Sequence, residues 1–167
     1  MSRTLAILAV VLAVLTTLAS SALFTVNEMQ QALVLQFGEP KRVIQTPGLK
    51  LKVPFIQNVV MFDKRLLDFD ADAQEVIMAD QKRLVVDAFA RYRIVNPLLF
   101  YQSVGTEANM RLRLSAIVTS RLRDVLGSVP FGTVLTSKRS DLMRQITELV
   151  VNEAKPFGVE VFAGFVD

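Results

Sequence analysis

The sequence predicts an α+β protein in which an amino-terminal transmembrane helix precedes one domain made of an antiparallel-type sheet and packed helices. Three observations support this prediction: the first 26 residues are mostly apolar and carry a single charged side chain, the next part of the chain carries strand-like alternation, and the last third has helical periodicity. We therefore divide the 167 residues into an anchor (1–26), a domain (27–161) and a divergent tail (162–167).

The amino-terminal segment contains no charged residue between Thr4 and Asn27. In a helix, roughly 20 apolar residues span the ~30 Å hydrocarbon core of a bilayer, and a helix satisfies its own backbone hydrogen bonds there. A cleaved signal peptide is the alternative, since small residues occupy positions 19–22, but apolar residues continue past them. Because Arg3 precedes the apolar run, the positive-inside rule places the amino terminus in the cytoplasm and the domain across the membrane.

Strand signals fill the first half of the domain. An apolar run from Met29 to Phe37 is followed by a turn, and alternation of apolar and polar residues predicts further strands at 49–53, 58–62 and 82–95. In the last of these, the even-numbered residues from Leu84 to Ile94 are apolar, whereas the other face carries most of the charges. This pattern predicts a sheet with one solvated face.

Two helices are predicted in the last third. Apolar residues recur at steps of three and four from Thr106 to Leu126, and Gly127 then stops the helix. A second helix begins near Thr136 or Ser137 and ends before Gly158. Residues 159–161 then begin a returning strand.

Residues able to perform catalysis are scarce. The chain has neither histidine nor cysteine, so the commonest general base and the usual zinc ligands are missing. Ser137 and Lys138 could form a nucleophilic pair, but a helix cap beside a solvated lysine explains them better. We therefore predict a protein that is not an enzyme, with no catalytic, cofactor-binding or metal-binding residues.

An acidic segment follows the third predicted strand. Its residues lack the glycine and the terminal glutamate of a calcium-binding loop, and so we predict a solvated connection between strands rather than a metal site. The residues concerned are Asp68, Asp70, Asp72 and Glu75.

Charge and apolarity suggest two surfaces for contact with other molecules. The net charge is +3, but the basic side chains are dispersed along the chain, which argues against binding of nucleic acid. Phe55 and Ile56 follow a turn and are candidates for the membrane interface, with core packing as the alternative. Four arginines on the first predicted helix are candidates to face a partner, with a solvated helix face as the alternative. They are Arg111, Arg113, Arg121 and Arg123.

Three blocks of residues carry a family resemblance. The first block contains Glu28 after the anchor, Phe37-Gly38, Pro47-Gly48-Leu49, Pro54-Phe55 and Asp63-x-Arg65. The second contains Val85 to Ala88, Tyr92 and Asn96-Pro97. The third contains Val134 to Thr136, Arg139 and Leu142. In order and spacing they resemble the SPFH (band 7, prohibitin- and stomatin-like) superfamily. Together they cover nearly all of residues 24–161.

The resemblance implies a scaffold subunit in the bacterial inner membrane. The single anchor at the extreme amino terminus is most similar to a branch whose members join an HflK-like sibling and regulate an FtsH-like AAA protease. This branch implies a periplasmic domain, contact with membrane lipids and a hetero-oligomer. A stomatin- or flotillin-like organiser of membrane microdomains is the alternative, followed by an exported enzyme with a cleaved signal.

The carboxyl-terminal segment departs from the family pattern. Members continue past the strand at Gly158 to Val161 into a long charged helix that assembles the oligomer. Here six further residues follow and contain no heptad repeat. We therefore expect a chain truncated before the coiled-coil region.

Overall fold

The computed structural model describes residues 2–136 and 138–165, which divide after Asp63 into two compact units. The first unit begins with a helix that continues directly into a strand, and four more strands follow. Its elements are α1 (Ser2–Ala22), β1 (Leu23–Val26), β2 (Gln30–Gln36), β3 (Glu39–Ile44), β4 (Gly48–Leu51) and β5 (Gln57–Asp63).

Helix α1 occupies most of the segment predicted as an anchor, and the last four residues of that segment form β1. Thr16 and Ser20 lie in the helix and donate their hydroxyls to backbone carbonyls one turn earlier. These bonds satisfy the two hydroxyl groups within the helix itself. In the described part of the chain, no helix combines the length and apolarity that a membrane crossing requires.

The strands of the first unit form two small antiparallel sheets. One pairs β1 with β4, and the other has the order β3-β2-β5. In the central strand β2, residues Gln31 to Leu35 are all buried, because this strand is covered on both faces. A small core forms from Val26, Ala32, Val34 and Ile44, with Phe24, Val59 and Met61 packed against it.

The second unit carries a three-stranded antiparallel sheet with helices. Its elements are β6 (Leu67–Ile77), β7 (Arg83–Ile94), α2 (Pro97–Ser103), α3 (Glu107–Leu126), α4 (Phe131–Val134), α5 (Arg139–Ala154), a 3₁₀ turn (Lys155–Phe157) and β8 (Val159–Phe165). The strand order is β6-β7-β8, with β7 in the centre. The antiparallel sheets and packed helices confirm the predicted α+β class.

The face of β7 predicted to be apolar packs toward the helices. Its residues Ala88, Ala90, Tyr92 and Ile94 are buried, while Arg83, Asp87 and Arg91 on the other face are exposed. Helix α3 packs on β6 and α5, and α5 packs on β8. The apolar positions predicted from helical periodicity form the buried stripe of α3: Met110, Leu114, Ile117, Val118, Leu122 and Val125.

The predicted solvated connection at Asp68 to Glu75 is wrong, because these residues belong to the eleven-residue strand β6. Arginines of the neighbouring strand compensate its charges: Arg91 lies 2.8 Å from Asp68 and Arg83 lies 3.2 Å from Glu75. Cross-strand ion pairs let an acidic sequence remain in a sheet on its solvated face.

Strand β7 ends where the sequence predicted, and helix α2 begins directly after it. The Asn96 side chain accepts hydrogen bonds from the backbone of Leu98 and Leu99, which caps α2. Gly158 lies against this cap with φ of 71°, and a Cβ there would lie 2.5 Å from the Asn96 carbonyl oxygen. Glycine is therefore required at this position.

Candidate functional site

The apolar residues of β4 point away from the protein. Leu49 and Leu51 are exposed, whereas Lys50 between them is half-buried and donates to the Thr46 hydroxyl at 3.0 Å. This is the reverse of the usual orientation for a half-exposed strand, in which lysines face water. The outward apolar side chains therefore mark β4 as a contact surface.

The turn after β4 extends this surface. Phe55 is 91% exposed with φ of 66°, and Ile56 beside it is also exposed. This exposure contradicts core packing for Phe55, and the membrane interface stays a prediction. We refer to five exposed residues together as the apolar strip: Leu49, Leu51, Val53, Phe55 and Ile56.

Hydrogen bonds fix the apolar strip in place. Val53 and Gln57 close the turn with two bonds, one through the backbone at 3.0 Å and one to the Gln57 amide oxygen at 2.9 Å. The backbone of Lys52 donates to the Ala22 carbonyl at 2.8 Å, and Leu23 pairs with Leu51. The strip therefore lies beside the carboxyl end of α1.

Phe37 is a second exposed aromatic residue in the first unit, and its exposure was not predicted from the sequence. It is 82% exposed and forms, with Gly38, the two-residue turn between β2 and β3. Both residues have positive φ (52° and 86°), as a hairpin of this length requires. A bulky side chain at positive φ is uncommon and is found more often where a surface has a function.

The four arginines of α3 divide into two groups. Arg121 is engaged within the chain: its guanidinium donates to Glu153 at 2.7 Å and to Asp124 at 2.9 Å. The bond to Glu153 raises the pKa of Arg121 further above its ordinary value, and it links α3 to α5.

Arg113 and Arg123 have no carboxylate partner among the described residues. They lie ten positions apart, which is about 15 Å along a helix, and the exposed residues Leu112, Ala116 and Ser120 lie on the same side. Arg113 and Leu112 also line a shallow cavity of about 400 Å³. We name this surface the α3 face.

Arg111 is exposed but lies near the buried Tyr92 of β7. Burial raises the pKa of the Tyr92 phenol, the charge of Glu107 adds to the rise, and the Arg111 guanidinium opposes it. The Tyr92 hydroxyl makes no hydrogen bond of ordinary geometry with a described residue, although the Arg111 guanidinium lies close enough to lower the pKa of the phenol.

The remaining candidates for chemistry do not converge. Within residues 2–136 and 138–165, no group of three acidic side chains could hold a metal ion. Ser137, predicted to cap a helix, lies outside the described residues, and Lys138 is exposed at the start of α5. Glu28 lies in the exposed turn between β1 and β2.

Comparison with known proteins covers most of the chain. Residues 24–166 match the SPFH domain / Band 7 family. "Protein HflC" of Buchnera aphidicola subsp. Schizaphis graminum is 28% identical over 166 residues, which is 85% of this chain and 53% of the relative. "Modulator of FtsH protease HflC" of Escherichia coli (strain K12) is 28% identical over 152 residues, 85% of this chain and 45% of the relative.

A third relative matches over a shorter stretch. "Protein HflC" of Treponema pallidum (strain Nichols) is 35% identical over 103 residues, which is 62% of this chain and 31% of the relative. The chain thus spans about a third to a half of the length of these relatives. Their names confirm the predicted similarity to one branch of the superfamily, and the match over residues 24–166 shows that the chain belongs to the SPFH domain / Band 7 family.

Proposed function

We propose that this chain is a membrane-anchored scaffold subunit resembling HflC, which joins an HflK-like sibling and regulates an FtsH-like AAA protease. The observation that carries the proposal is the family match over residues 24–166, together with relatives named as HflC and as a modulator of FtsH protease. The mechanism is steric. Laterally packed copies form a wall that limits which membrane substrates reach the protease.

Helix α1 holds the chain in the bacterial inner membrane. It has 21 residues, or about 31 Å at 1.5 Å per residue, and no charge follows Arg3 until Glu28. Charge asymmetry around the helix supports an amino terminus in the cytoplasm and the rest of the chain in the periplasm. The lack of charge from Thr4 to Ala22 supports insertion of the helix, because charged side chains are costly in hydrocarbon.

The apolar strip rests on the lipid surface. Its outward leucines and Phe55 lie beside the carboxyl end of α1, where the helix leaves the hydrocarbon region. Aromatic and aliphatic side chains at that depth bury apolar area in the interface. Lys50 and Lys52 alternate with the strip residues along the chain, and their positive charges suit the level where lipid phosphates lie.

The α3 face meets the acidic surface of a partner subunit. Arg113 and Arg123 lack intramolecular carboxylates in the described part of the chain, so pairing with a partner breaks no existing ion pair. Arginine suits such a role because its planar fork binds carboxylates in a bidentate manner. The exposed Leu112 beside Arg113 adds apolar contact area.

Co-purification tests this proposal. The tagged chain is expressed in its native host, extracted in mild detergent and captured, and the captured proteins are identified by mass spectrometry. We expect an HflK-like sibling and an FtsH-like protease among them. Recovery of neither, from membranes that contain both, would contradict the proposal.

A stomatin- or flotillin-like organiser of membrane microdomains is the second candidate, and the apolar strip favours it. That function places the domain in the cytoplasm. An alkaline phosphatase reporter fused after Asp167 is active in the periplasm and inactive in the cytoplasm. An inactive fusion would therefore favour the organiser over the protease regulator.

A further inference from the structure

The first unit contains an open cavity whose polar side chains are hydrogen-bond donors. The cavity has a volume of about 410 Å³, within the range of ~300–1,000 Å³ that is typical of small-molecule sites. Its polar side chains are those of Lys41, Arg42, Lys52 and Gln57. Among the residues that the structure describes, none with an acidic side chain lines it. We refer to this cavity as the basic cavity.

Existing hydrogen bonds leave donors of Arg42 and Gln57 available to a ligand. The Arg42 Nη2 donates to the Leu51 carbonyl at 2.7 Å, which positions the guanidinium and uses one of its five N–H groups. The Gln57 amide oxygen accepts from the Val53 backbone N–H at 2.9 Å. Because this bond fixes the orientation of the amide, its NH₂ group remains as a donor. A ligand of this cavity therefore has to supply acceptors.

The positive charges around the basic cavity are weakly neutralised within the chain. Lys41 lies 3.5 Å from Glu39, but both side chains are more than half exposed, and exposed pairs of this kind contribute little. Arg42 and Lys52 have no carboxylate partner in the part of the chain that the structure describes. Three cations that line one cavity repel each other, and a bound anion relieves that repulsion.

Two apolar residues of the cavity lining favour an amphiphile over a soluble ion. Leu51 and Val53 line the basic cavity and also belong to the apolar strip, where both are exposed. A ligand held there meets donors and exposed apolar side chains together. Phospholipids have the matching combination, since their phosphate group is joined to acyl chains.

We propose that the basic cavity binds the phosphate group of an anionic phospholipid, whose acyl chains lie along the apolar strip. Arginine binds phosphate in a bidentate manner, and lysine binds it as a point charge. In a zwitterionic lipid the ammonium of the headgroup compensates the phosphate, whereas phosphatidylglycerol has no such cation. Three basic side chains therefore favour the anionic lipid. This inference rests on the proposed contact between the apolar strip and lipid, and it requires no protein partner.

Quenching of a single tryptophan tests the proposal. The chain has no native tryptophan, and Leu49→Trp places one reporter in the apolar strip, two residues from Leu51 and outside the cavity lining. The full chain with this reporter is reconstituted in vesicles of phosphatidylcholine and phosphatidylglycerol, with bromine on the acyl chains of one lipid or the other. Brominated phosphatidylcholine measures contact of the strip with lipid. The ratio of the two quenching efficiencies measures the preference for the anionic lipid.

Lys52→Gln and Lys50→Gln form a matched pair for this measurement. Both lysines are half-buried, but Lys50 donates to the Thr46 hydroxyl and does not line the basic cavity. We expect the reporter chain to prefer phosphatidylglycerol, and Lys52→Gln to lower that preference about fivefold, as one lost cation near a lipid surface implies. Lys50→Gln should leave the preference almost unchanged. Quenching by brominated phosphatidylcholine should be the same in all three chains.

The outcomes separate this site from the proposed function. Equal quenching by the two lipids, or an equal loss of preference in Lys50→Gln and Lys52→Gln, would overturn the phosphate site and leave the contact of the strip with lipid intact. Absence of quenching by either lipid would overturn both. Excess inorganic phosphate, added at constant ionic strength, distinguishes the two sources of phosphate. We expect the lipid preference to persist, and its loss would show that soluble phosphate is the ligand and overturn the assignment to lipid.

Discussion

Phe55 illustrates at the scale of one residue how a strained, exposed aromatic side chain indicates a function. Its positive φ and 91% exposure would both be unfavourable in water alone. The proposed contact with lipid would account for the exposure, because the ring would then leave water.

The lipid contact of Phe55 can be measured directly because the chain has no native cysteine. We expect an environment-sensitive dye on Phe55→Cys to shift to the blue in vesicles and to be protected from an aqueous quencher. The matched control is Glu39→Cys, an exposed polar position in the same unit. Equal quenching of the two labels would contradict contact between the apolar strip and lipid.

Tyr92 makes a prediction about pH. Burial raises its pKa above the ordinary value of 10.0, so the folded protein favours the neutral phenol. The stability that results is fully present below that ordinary value and is lost as the pH rises toward the folded-state pKa. In detergent, the temperature of thermal unfolding should fall above about pH 10. It should fall less in the Tyr92→Phe variant.

The same substitution tests the environment of the Tyr92 hydroxyl at neutral pH. Because this buried hydroxyl makes no hydrogen bond of ordinary geometry with a described residue and meets only the more distant Arg111 guanidinium, removing it costs little. We expect Tyr92→Phe to be as stable as the unchanged chain or more so, with Tyr101→Phe as the control. A loss above about 1 kcal/mol would show that the hydroxyl is bonded after all.

At the scale of the element, α3 combines an inner stripe that holds the fold with an outer face that is free to bind. Replacing both Arg113 and Arg123 with Glu should leave folding intact. It should lower the amounts of the sibling subunit and of the protease that co-purify. The effect should weaken as salt increases, since exposed charges are screened.

Arg144→Glu is the control for the α3 variant. Arg144 is an exposed arginine on α5 that pairs with Asp141 at 2.9 Å. If its reversal reduces recovery as much as the double α3 variant does, net charge rather than the α3 face would account for the binding.

The elements with strong periodicity could be predicted from the sequence, and the ones stabilised by distant partners could not. β7, α3 and α5 each carry their apolar pattern within themselves. β6 does not: its acidic residues suit a strand because Arg83 and Arg91 lie across from them, and this register is not encoded locally. Likewise β3 was missed, because it is a mostly exposed strand on the outside of its sheet that contains Pro40.

The candidate surfaces show the same division. The sequence identified Phe55, Ile56, Arg113 and Arg123 as surface candidates, but it could not show that Arg121 is engaged by Glu153, 32 residues later. It also could not show that Leu49 and Leu51 face outward, since alternation predicts two faces of a strand without indicating which one meets water.

At the scale of the whole molecule, the proposed function depends on surfaces. In that proposal, an apolar helix, an apolar strip beside its end and an arginine-bearing helix face provide the contacts with lipid and with protein. The described residues contain no metal-binding cluster. Steric control of a neighbouring enzyme requires contacts of this kind and no reacting group.

The most direct test of this account is the turnover of a membrane substrate by the FtsH-like protease in reconstituted vesicles. The account predicts that adding this chain with its HflK-like sibling slows degradation of the membrane substrate and leaves that of a soluble unfolded substrate unchanged. Equal rates for the membrane substrate with and without the chain, with both subunits present in the vesicles, would contradict it.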